Sequence, residues 1–397
     1  MYCTRKINDD YTWVGADCRR LALFEGVFGV PDGISFNSYL LTDEMTVLFD
    51  TVDNAVRRTF RENLAHALAG RELDYIVVHH MEPDHAAELA ELAEDYPKAQ
   101  ILCSAMAKTM VGQFFGPETA GRITVIKEGE TLCTGRHTLR FVAAPMVHWP
   151  EVMMTYDETD RLLLTADAFG CFGALNGALF ADEVDFDRDY LDEARRYYTN
   201  IVGKYGPQVQ AVLKKAAALD IEMLLPLHGF VWREELGYLL GKYDLWSRYE
   251  PEERGVVIAY GSMYGNNEQA AELLARKLAG LGVSSIRMHN LSVSHLSYVL
   301  SDIFRFDTLV VGAPTYNGGL FPPMKELLDE VRMRQIQGRR FGVFGSYSWA
   351  GCAVKHMRAF AEEMKWEMAA EPVEFAHAHT PEKTECGLQA LAEALAR

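Results

Sequence analysis

The 397-residue chain contains no CxxC pair. Its seven cysteines, Cys3, Cys18, Cys103, Cys133, Cys171, Cys352 and Cys386, are odd in number and scattered. That pattern excludes a cysteine-bound zinc or iron–sulfur site and a disulfide framework, and it fits a reducing, cytoplasmic setting. No stretch reaches about 18 uninterrupted apolar residues, so no membrane-spanning helix is expected. The opening MYCTRKINDDYTW lacks the apolar core of a secretory signal. Basic residues are in deficit: 39 Lys and Arg face 56 Asp and Glu, for a formal net charge of −17. Such a field repels nucleic-acid phosphates and anionic lipid, so neither is an expected partner.

What is present is ordinary globular composition, 49% apolar and 24% charged, over a length that suits two cores better than one. A seam lies at SRYEPEERG, residues 247–255, where a helical pattern gives way to charge, proline and then the apolar run VVIAY. Before it, short strands and helices mix irregularly. SYLLT and MTVLFD pattern as a hairpin, DNAVRRTFRENLAHAL as an amphipathic helix and YIVVHH as a buried strand. LRFVAAP, VMMTYD and RLLLTAD follow as strands, with two long helices expected around 189–219. After the seam, GVVIAY, FDTLVVGAP and RRFGVFGSY alternate with three helical stretches, the grammar of a doubly wound parallel sheet. The expected domains are 1–250 and 254–397, both of α/β class.

The segment HHMEPDH, residues 79–85, crowds ligand-capable side chains onto the end of a buried strand. In extended backbone alternate residues share a side, so His80, Glu82 and Asp84 can converge, with His85 at the following turn. The competing reading is a histidine pair capping the next helix. His148, Asp167 and His228 likewise end apolar runs farther along. Four imidazoles and three carboxylates form a hard oxygen-and-nitrogen donor set, better suited to redox-active iron than to a thiolate-loving metal.

In this order the residues resemble the ligand signature of the metallo-β-lactamase-like fold, a four-layer αβ/βα sandwich. Most hydrolytic members have histidine where this chain has Glu82. With the second half described below, the chain resembles the flavodiiron proteins, or A-type flavoproteins, over essentially its whole length. The resemblance implies two iron ions. His80, Glu82 and His148 would hold one, Asp84, His85 and His228 the other, and Asp167 would bridge them.

In the second half, GSMYGNNE joins the strand GVVIAY to a helix, offering backbone N–H groups and the positive end of a helix dipole to a phosphate. It is neither a GxGxxG turn nor a Walker loop. The loops APTYNGG and GSYSWAG leave later strand ends, where a doubly wound sheet binds its ligand. Their aromatic residues Tyr316, Tyr347 and Trp349 suit the faces of a flat ring. These loops resemble those of flavodoxins. By that resemblance Ser262, Met263, Tyr264, Gly265, Asn266 and Asn267 would grip the phosphate of FMN. Pro314, Thr315, Tyr316, Asn317, Gly318 and Gly319, with Ser346, Tyr347, Ser348, Trp349, Ala350 and Gly351, would hold its isoalloxazine. Relatives commonly have threonine where this chain has Asn267.

The resemblance further implies a reductase of dioxygen to water, of nitric oxide to nitrous oxide, or of both. Electrons would come from an external donor, rubredoxin in the family's pattern, through FMN to the diiron pair. The assembly it implies is a head-to-tail homodimer or a dimer of such dimers. The alternative is a zinc-dependent hydrolase of the same fold with an accessory flavodoxin domain. Glu25 stands where many relatives have histidine, and Tyr197 or Tyr198 is a candidate hydrogen-bond donor near the metals. Arg332, Arg334, Arg339 and Arg340 form a tempting patch for an acidic donor protein. Their place at a helix end and a strand start instead implies a structural role, on the side of the sheet away from the flavin.

Overall fold

Thr46–Phe49, Met153–Asp157 and Leu162–Leu164 are buried at every position, which requires cover on both faces of the sheets they form. The computed structural model describes residues 1–376 and 381–397. By internal contacts these fall into two compact units, Met1–Asp244 and Leu245–Arg397.

The first unit holds two mixed sheets. The seven-stranded one runs Arg5–Lys6, Tyr11–Trp13, Tyr39–Thr42, Thr46–Phe49, Tyr75–Val77, Gln100–Cys103 and Ile123–Val125 in spatial order. Tyr39–Thr42 and Thr46–Phe49 pair as an antiparallel hairpin, with Tyr39 opposite Phe49. The helix Arg57–Leu68 then returns the chain so that Tyr75–Val77 joins in parallel. The five-stranded sheet runs Thr131–Cys133, Thr138–Ala143, Met153–Asp157, Leu162–Leu164 and Met223–Leu225. The Met153 amide donates to the His79 carbonyl at 3.1 Å, tying the sheets together where the ligand-rich segment begins. This is the expected αβ/βα layering.

The two long helices expected around 189–219 are not formed as such. Leu191–Tyr197 passes into a widened π turn, Tyr198–Val202, then a tight turn, Gly203–Tyr205, before Gly206–Ala216 resumes. Gly203, Gly206 and Pro207 interrupt the run, and the Asn200 side chain bonds the Arg196 carbonyl at 2.7 Å. Glycine lowers helix propensity, and proline cannot continue the preceding ladder.

Met153–Asp157 begins beside the ligand-rich segment and ends in a polar knot. The buried His137 ring places Nδ1 2.6 Å from Asp157 and Nε2 3.0 Å from Asp10. Tyr11 donates to Asp157 at 3.0 Å, and Arg136 bonds Asp160 at 3.1 Å and also Asp10. Arg136 thus fills the place a metal cation would take among Asp10, His137 and Asp160. Burial opposes the imidazolium, but the bonds to Asp157 and Asp10 outweigh it and raise the His137 pKa. A raised folded pKa means the stabilisation is complete below the unfolded value of about 6.5. It is lost as pH rises through the folded value. As pH rises above about 6.5, the urea midpoint should therefore fall more steeply in the native protein than in His137→Gln. Parallel pH profiles would contradict this reading.

In the second unit the parallel strands stand in the order Ile286–Asn290, Glu253–Tyr260, Phe306–Tyr316 and Arg340–Tyr347, with Glu367–Met368 and Val373–Ala376 beside the last. This 2-1-3-4-5 arrangement is flavodoxin-like. Asn266–Gly280 and Pro381–Leu395 pack together over a core containing Ile258, Leu274, Val310, Phe344 and Leu391. The arginine cluster is structural, as its position implied. Arg339 is 1% exposed and donates to the carbonyls of Ile303, Phe304, Tyr249 and Gln337. Arg340 bonds the Ala394 and Leu395 carbonyls, Arg332 pairs with Asp329 and Glu363, and Arg334 pairs with Glu330.

Candidate functional site

The strand Tyr75–Val77 ends just before His79, and the two histidines of the pair diverge. His79 turns into the core, its ring 2.6 Å from Asp50 and 2.7 Å from Thr155. His80 faces the ligand cluster. Glu82 precedes a single helical turn, Pro83–Ala86, which carries Asp84 and His85. Neither Asp84 nor Glu82 makes a capping bond there, and the next helix, Leu89–Asp95, also lacks a side-chain cap. The capping reading of this segment therefore fails. The turn is held from behind: the His85 carbonyl accepts from the Thr51 amide and hydroxyl at 2.7 and 2.8 Å. The buried Glu88 carboxylate pairs with Arg57 and Arg61.

The seven expected residues meet in two adjoining groups. His80, Glu82, His148 and Asp167 bring one ligand atom each to within 4.8 Å of one another, and so do Asp84, His85 and His228. Asp167 serves both. Its Oδ2 lies 3.3 Å from His80 Nε2 and 3.1 Å from His148 Nε2, while its Oδ1 lies 3.0 Å from His85 Nε2 and 3.8 Å from His228 Nε2. Glu82 Oε2 approaches His80 and His148 at 3.2 and 3.1 Å, and Asp84 Oδ2 approaches His85 and His228 at 3.2 and 3.1 Å. Asp167 Oδ1, Asp84 Oδ1 and His85 Nε2 are buried without a hydrogen-bond partner. Orphaned donors and acceptors converging in this way fit a pair of cations.

With protons in place of metal, the carboxylates load the imidazoles. Burial opposes the charge on His85 and His148, yet Asp84 and Asp167 beside the first, and Asp167 and Glu82 beside the second, push each up to about 9. His80 is raised well above its usual value against the same opposition. Metal binding here must therefore displace protons.

Two orienting groups escaped the sequence reading. Glu151 is 2% exposed and accepts from His80 Nδ1 at 2.8 Å and from the Met81 amide at 2.9 Å. The Ser35 carbonyl accepts from His228 Nδ1 at 2.6 Å. Each fixes a tautomer that leaves Nε2 free as a ligand. The only signal for Glu151 was an acid three residues beyond His148. Ser35 acts through its backbone and carries none.

The hairpin Leu23–Phe24 with Phe28–Gly29 sets the Phe24 ring 5.3 Å from His228, and Glu25 in its turn hydrogen-bonds Glu82. Although the residue's outer side faces solvent, withdrawal of its carboxyl from water, reinforced by the charge on Glu82, lifts its pKa to about 8. Of the two tyrosines, Tyr197 stands nearer: its ring is 5.5 Å from His228 and its buried hydroxyl has no partner. Tyr198 packs edge-on to Tyr243 at 5.0 Å.

The expected flavin loops also converge, at the carboxyl ends of the second unit's strands. Pro314 pairs with Ser346 across neighbouring strands, and Asn267 Nδ2 donates to Ser346 Oγ at 2.9 Å. The Cys352 and Ala353 amides donate to Thr315 Oγ1 at 2.9 and 3.1 Å. Gly265, with φ 91°, opens the helix Asn266–Gly280 without a side-chain cap, and Ser262 Oγ accepts from its amide at 3.1 Å. Asn317 and Gly318, at φ 49° and 68°, form the tight turn between Tyr316 and Gly319. Trp349 and Tyr264 are 92% and 90% exposed, bare aromatic surface beside the loops.

Comparison with known proteins matches residues 34–229 to the family described as ODP family beta lactamase and residues 258–388 to flavodoxin. The chain is 34% identical over 372 residues to the anaerobic nitric oxide reductase flavorubredoxin of Aliivibrio fischeri, covering 92% of this chain and 74% of that one. The Escherichia coli protein of that name is 32% identical over 371 residues, covering 91% and 76%. Among solved structures, rubredoxin oxygen:oxidoreductase from Desulfovibrio gigas superposes with a TM-score of 0.93 at 30% identity, covering 100% of this chain and 98% of that one. A mutant of the flavo di-iron protein from Thermotoga maritima gives 0.90 at 26%, covering 100% and 99%. Among the described residues no helix is long and apolar enough to cross a membrane.

Proposed function

The chain belongs to the flavodiiron proteins and is an oxidoreductase of that family, and on that premise we propose that it reduces nitric oxide to nitrous oxide, dioxygen to water, or both. The overall reactions are 2 NO + 2 H⁺ + 2 e⁻ → N₂O + H₂O and O₂ + 4 H⁺ + 4 e⁻ → 2 H₂O. The observation that carries the proposal is Asp167, whose two oxygens face two separate sets of ligands.

His80, Glu82 and His148 would hold one iron and Asp84, His85 and His228 the second, with Asp167 shared. The iron pair, when bound, supplies the electrons that convert substrate, and FMN, when bound, takes them from the donor. Around those groups the chain itself positions and protects. Glu151 and Ser35 hold His80 and His228 in ligand-competent tautomers. Glu82 replaces a neutral imidazole by a carboxylate, adding negative charge that favours ferric iron over a zinc-type site. Glu25 hydrogen-bonds Glu82, and withdrawal from water beside that charge raises its carboxyl pKa. Tyr197 has a free buried hydroxyl close to His228 and is the better of the two tyrosine candidates for a donor to substrate.

The domain division 1–250 and 254–397 assigns the iron to the first part and FMN to the second, held by Ser262–Asn267, Pro314–Gly319 and Ser346–Gly351. The donor is an external protein, with rubredoxin the family's choice. A head-to-tail homodimer would set the flavin of one copy beside the irons of the other, so that monomers would transfer electrons too slowly to matter.

Stopped-flow mixing of the reduced protein with nitric oxide and with dioxygen tests the function and ranks the substrates. Two zinc ions, no iron and hydrolytic turnover would establish the alternative hydrolase. His148→Ala should empty one metal position and lower iron towards about one per chain, with the yellow FMN retained. Metal analysis and the flavin absorbance report both. Loss of FMN together with iron would contradict the separation of the two sites.

A further inference from the structure

We propose that Glu151 is a positioning residue whose charge, acting through His80, makes the two metal positions unequal. The position at His80, Glu82 and His148 is the tighter, and it favours the ferric state. The inference rests on the diiron reading and goes past it, since that reading treats the positions alike. Glu82 and Asp84 give each position one carboxylate of its own, and Asp167 is shared. The difference lies behind the imidazoles. His80 Nδ1 donates to the Glu151 carboxylate at 2.8 Å. His228 Nδ1 donates to the neutral Ser35 carbonyl at 2.6 Å, and His85 Nδ1 is buried with no partner. Among the described residues, one position thus has a carboxylate behind a ligating ring and the other has none.

The surroundings of Glu151 direct its charge at His80. The residue is 2% exposed, and its Oε1 also accepts from the Met81 amide at 2.9 Å. Its Oε2 is buried without a partner, and among the described residues its ion pair is with His80. Ser104 Oγ donates to the Glu151 carbonyl at 3.0 Å, and the same Ser104 caps the helix Ala105–Phe115, which fixes the backbone behind the ring. The Trp149 ring stands edge-on to His80 at 5.2 Å. Residues 148 to 151 therefore serve one position twice, His148 as a direct ligand and Glu151 through His80. A carboxylate behind a ligating imidazole raises its basicity, and losing such a partner typically costs about 10- to 100-fold in metal affinity. Added negative charge attracts the more highly charged cation, so ferric iron gains more than ferrous.

Glu151→Gln separates the charge from the scaffold, because the amide oxygen can still accept from His80 and from the Met81 amide. His228→Ala and His148→Ala each leave one position to be measured alone, free of repulsion from a second cation. Full-length proteins stripped of iron are titrated anaerobically with ferrous iron. The iron kept by His228→Ala should bind about tenfold or more tighter than the iron kept by His148→Ala. Adding Glu151→Gln should weaken the first by about 10- to 100-fold and the second by less than about threefold. The intact two-iron protein, which needs neither histidine variant, is followed by redox titration with Mössbauer spectroscopy. There Glu151→Gln should raise the potential of the iron that is oxidised first, by about 59 mV for each tenfold that ferric binding falls beyond ferrous, and leave the other iron in place. Equal affinities in the two single-position variants would overturn the proposal and leave the diiron reading standing. Equal weakening of both positions by Glu151→Gln, or unchanged potentials, would do the same. A native protein that takes up no iron pair would remove the diiron reading first, and this inference with it.

Discussion

Asp167→Asn should empty both metal positions at once while leaving FMN in place. A carboxylate can offer one oxygen to each cation, whereas an amide offers one oxygen and one NH₂ group, which repels the second. Asp167 is 1% exposed, and each of its oxygens faces its own pair of histidines. Removing it also strips a charge from four imidazoles that have no other common counter-ion. The loss in metal affinity should exceed the roughly 10- to 100-fold typical of outer orienting groups. Reductase activity should fall below about a hundredth of native, since the metal supplies the chemistry. Iron analysis, the flavin spectrum and turnover together check the result. Retention of two irons would show that Asp167 is not shared, whatever its distances.

Arg339→Met should be among the most destabilising single changes in the second unit. Methionine fills similar space but leaves the carbonyls of Ile303, Phe304, Tyr249 and Gln337 without the donors that reach them now. Burial lowers the guanidinium pKa to about 10, so the group stays charged at neutral pH. Each buried acceptor left unsatisfied costs on the order of 1–3 kcal/mol, so a loss of about 3 kcal/mol or more is expected. Arg332→Ala breaks half-exposed pairs with Asp329 and Glu363 and a contact over the Phe360 ring, and should cost about 1 kcal/mol. Thermal release of flavin fluorescence measures both. Similar melting temperatures for the two variants would mean that Arg339 is not the staple its geometry describes.

The contrast between these arginines marks what was legible beforehand. Their position at a helix end and a strand start was visible, and with it their structural character. Which of them was buried was not. Likewise the hairpin Tyr39–Phe49 and the strands around Phe141, Met154 and Leu163 were readable because their apolar residues run continuously or alternate. The edge strand Ile286–Asn290 and the helix Leu296–Arg305 were not read at all. IRMHN is half-exposed and polar, with neither period strong enough to announce it.

At the candidate site, chain order and residue type alone picked out the seven ligand-type side chains, because His80, His148, Asp167 and His228 follow apolar runs and Glu82, Asp84 and His85 crowd the segment after the first of them. The same holds for the three loops that follow the parallel strands. Only the tertiary structure decided the partnerships. It turned His79 into the core beside Asp50 and set Asp167 between two groups. It brought Glu151 and the Ser35 carbonyl behind the imidazoles, and it tied Asn267 to Ser346. The reason is physical. Periodicity and turn chemistry act over a few residues, whereas these pairs lie 19 to 193 residues apart in the chain. Their meeting depends on sheet register, which no local pattern encodes.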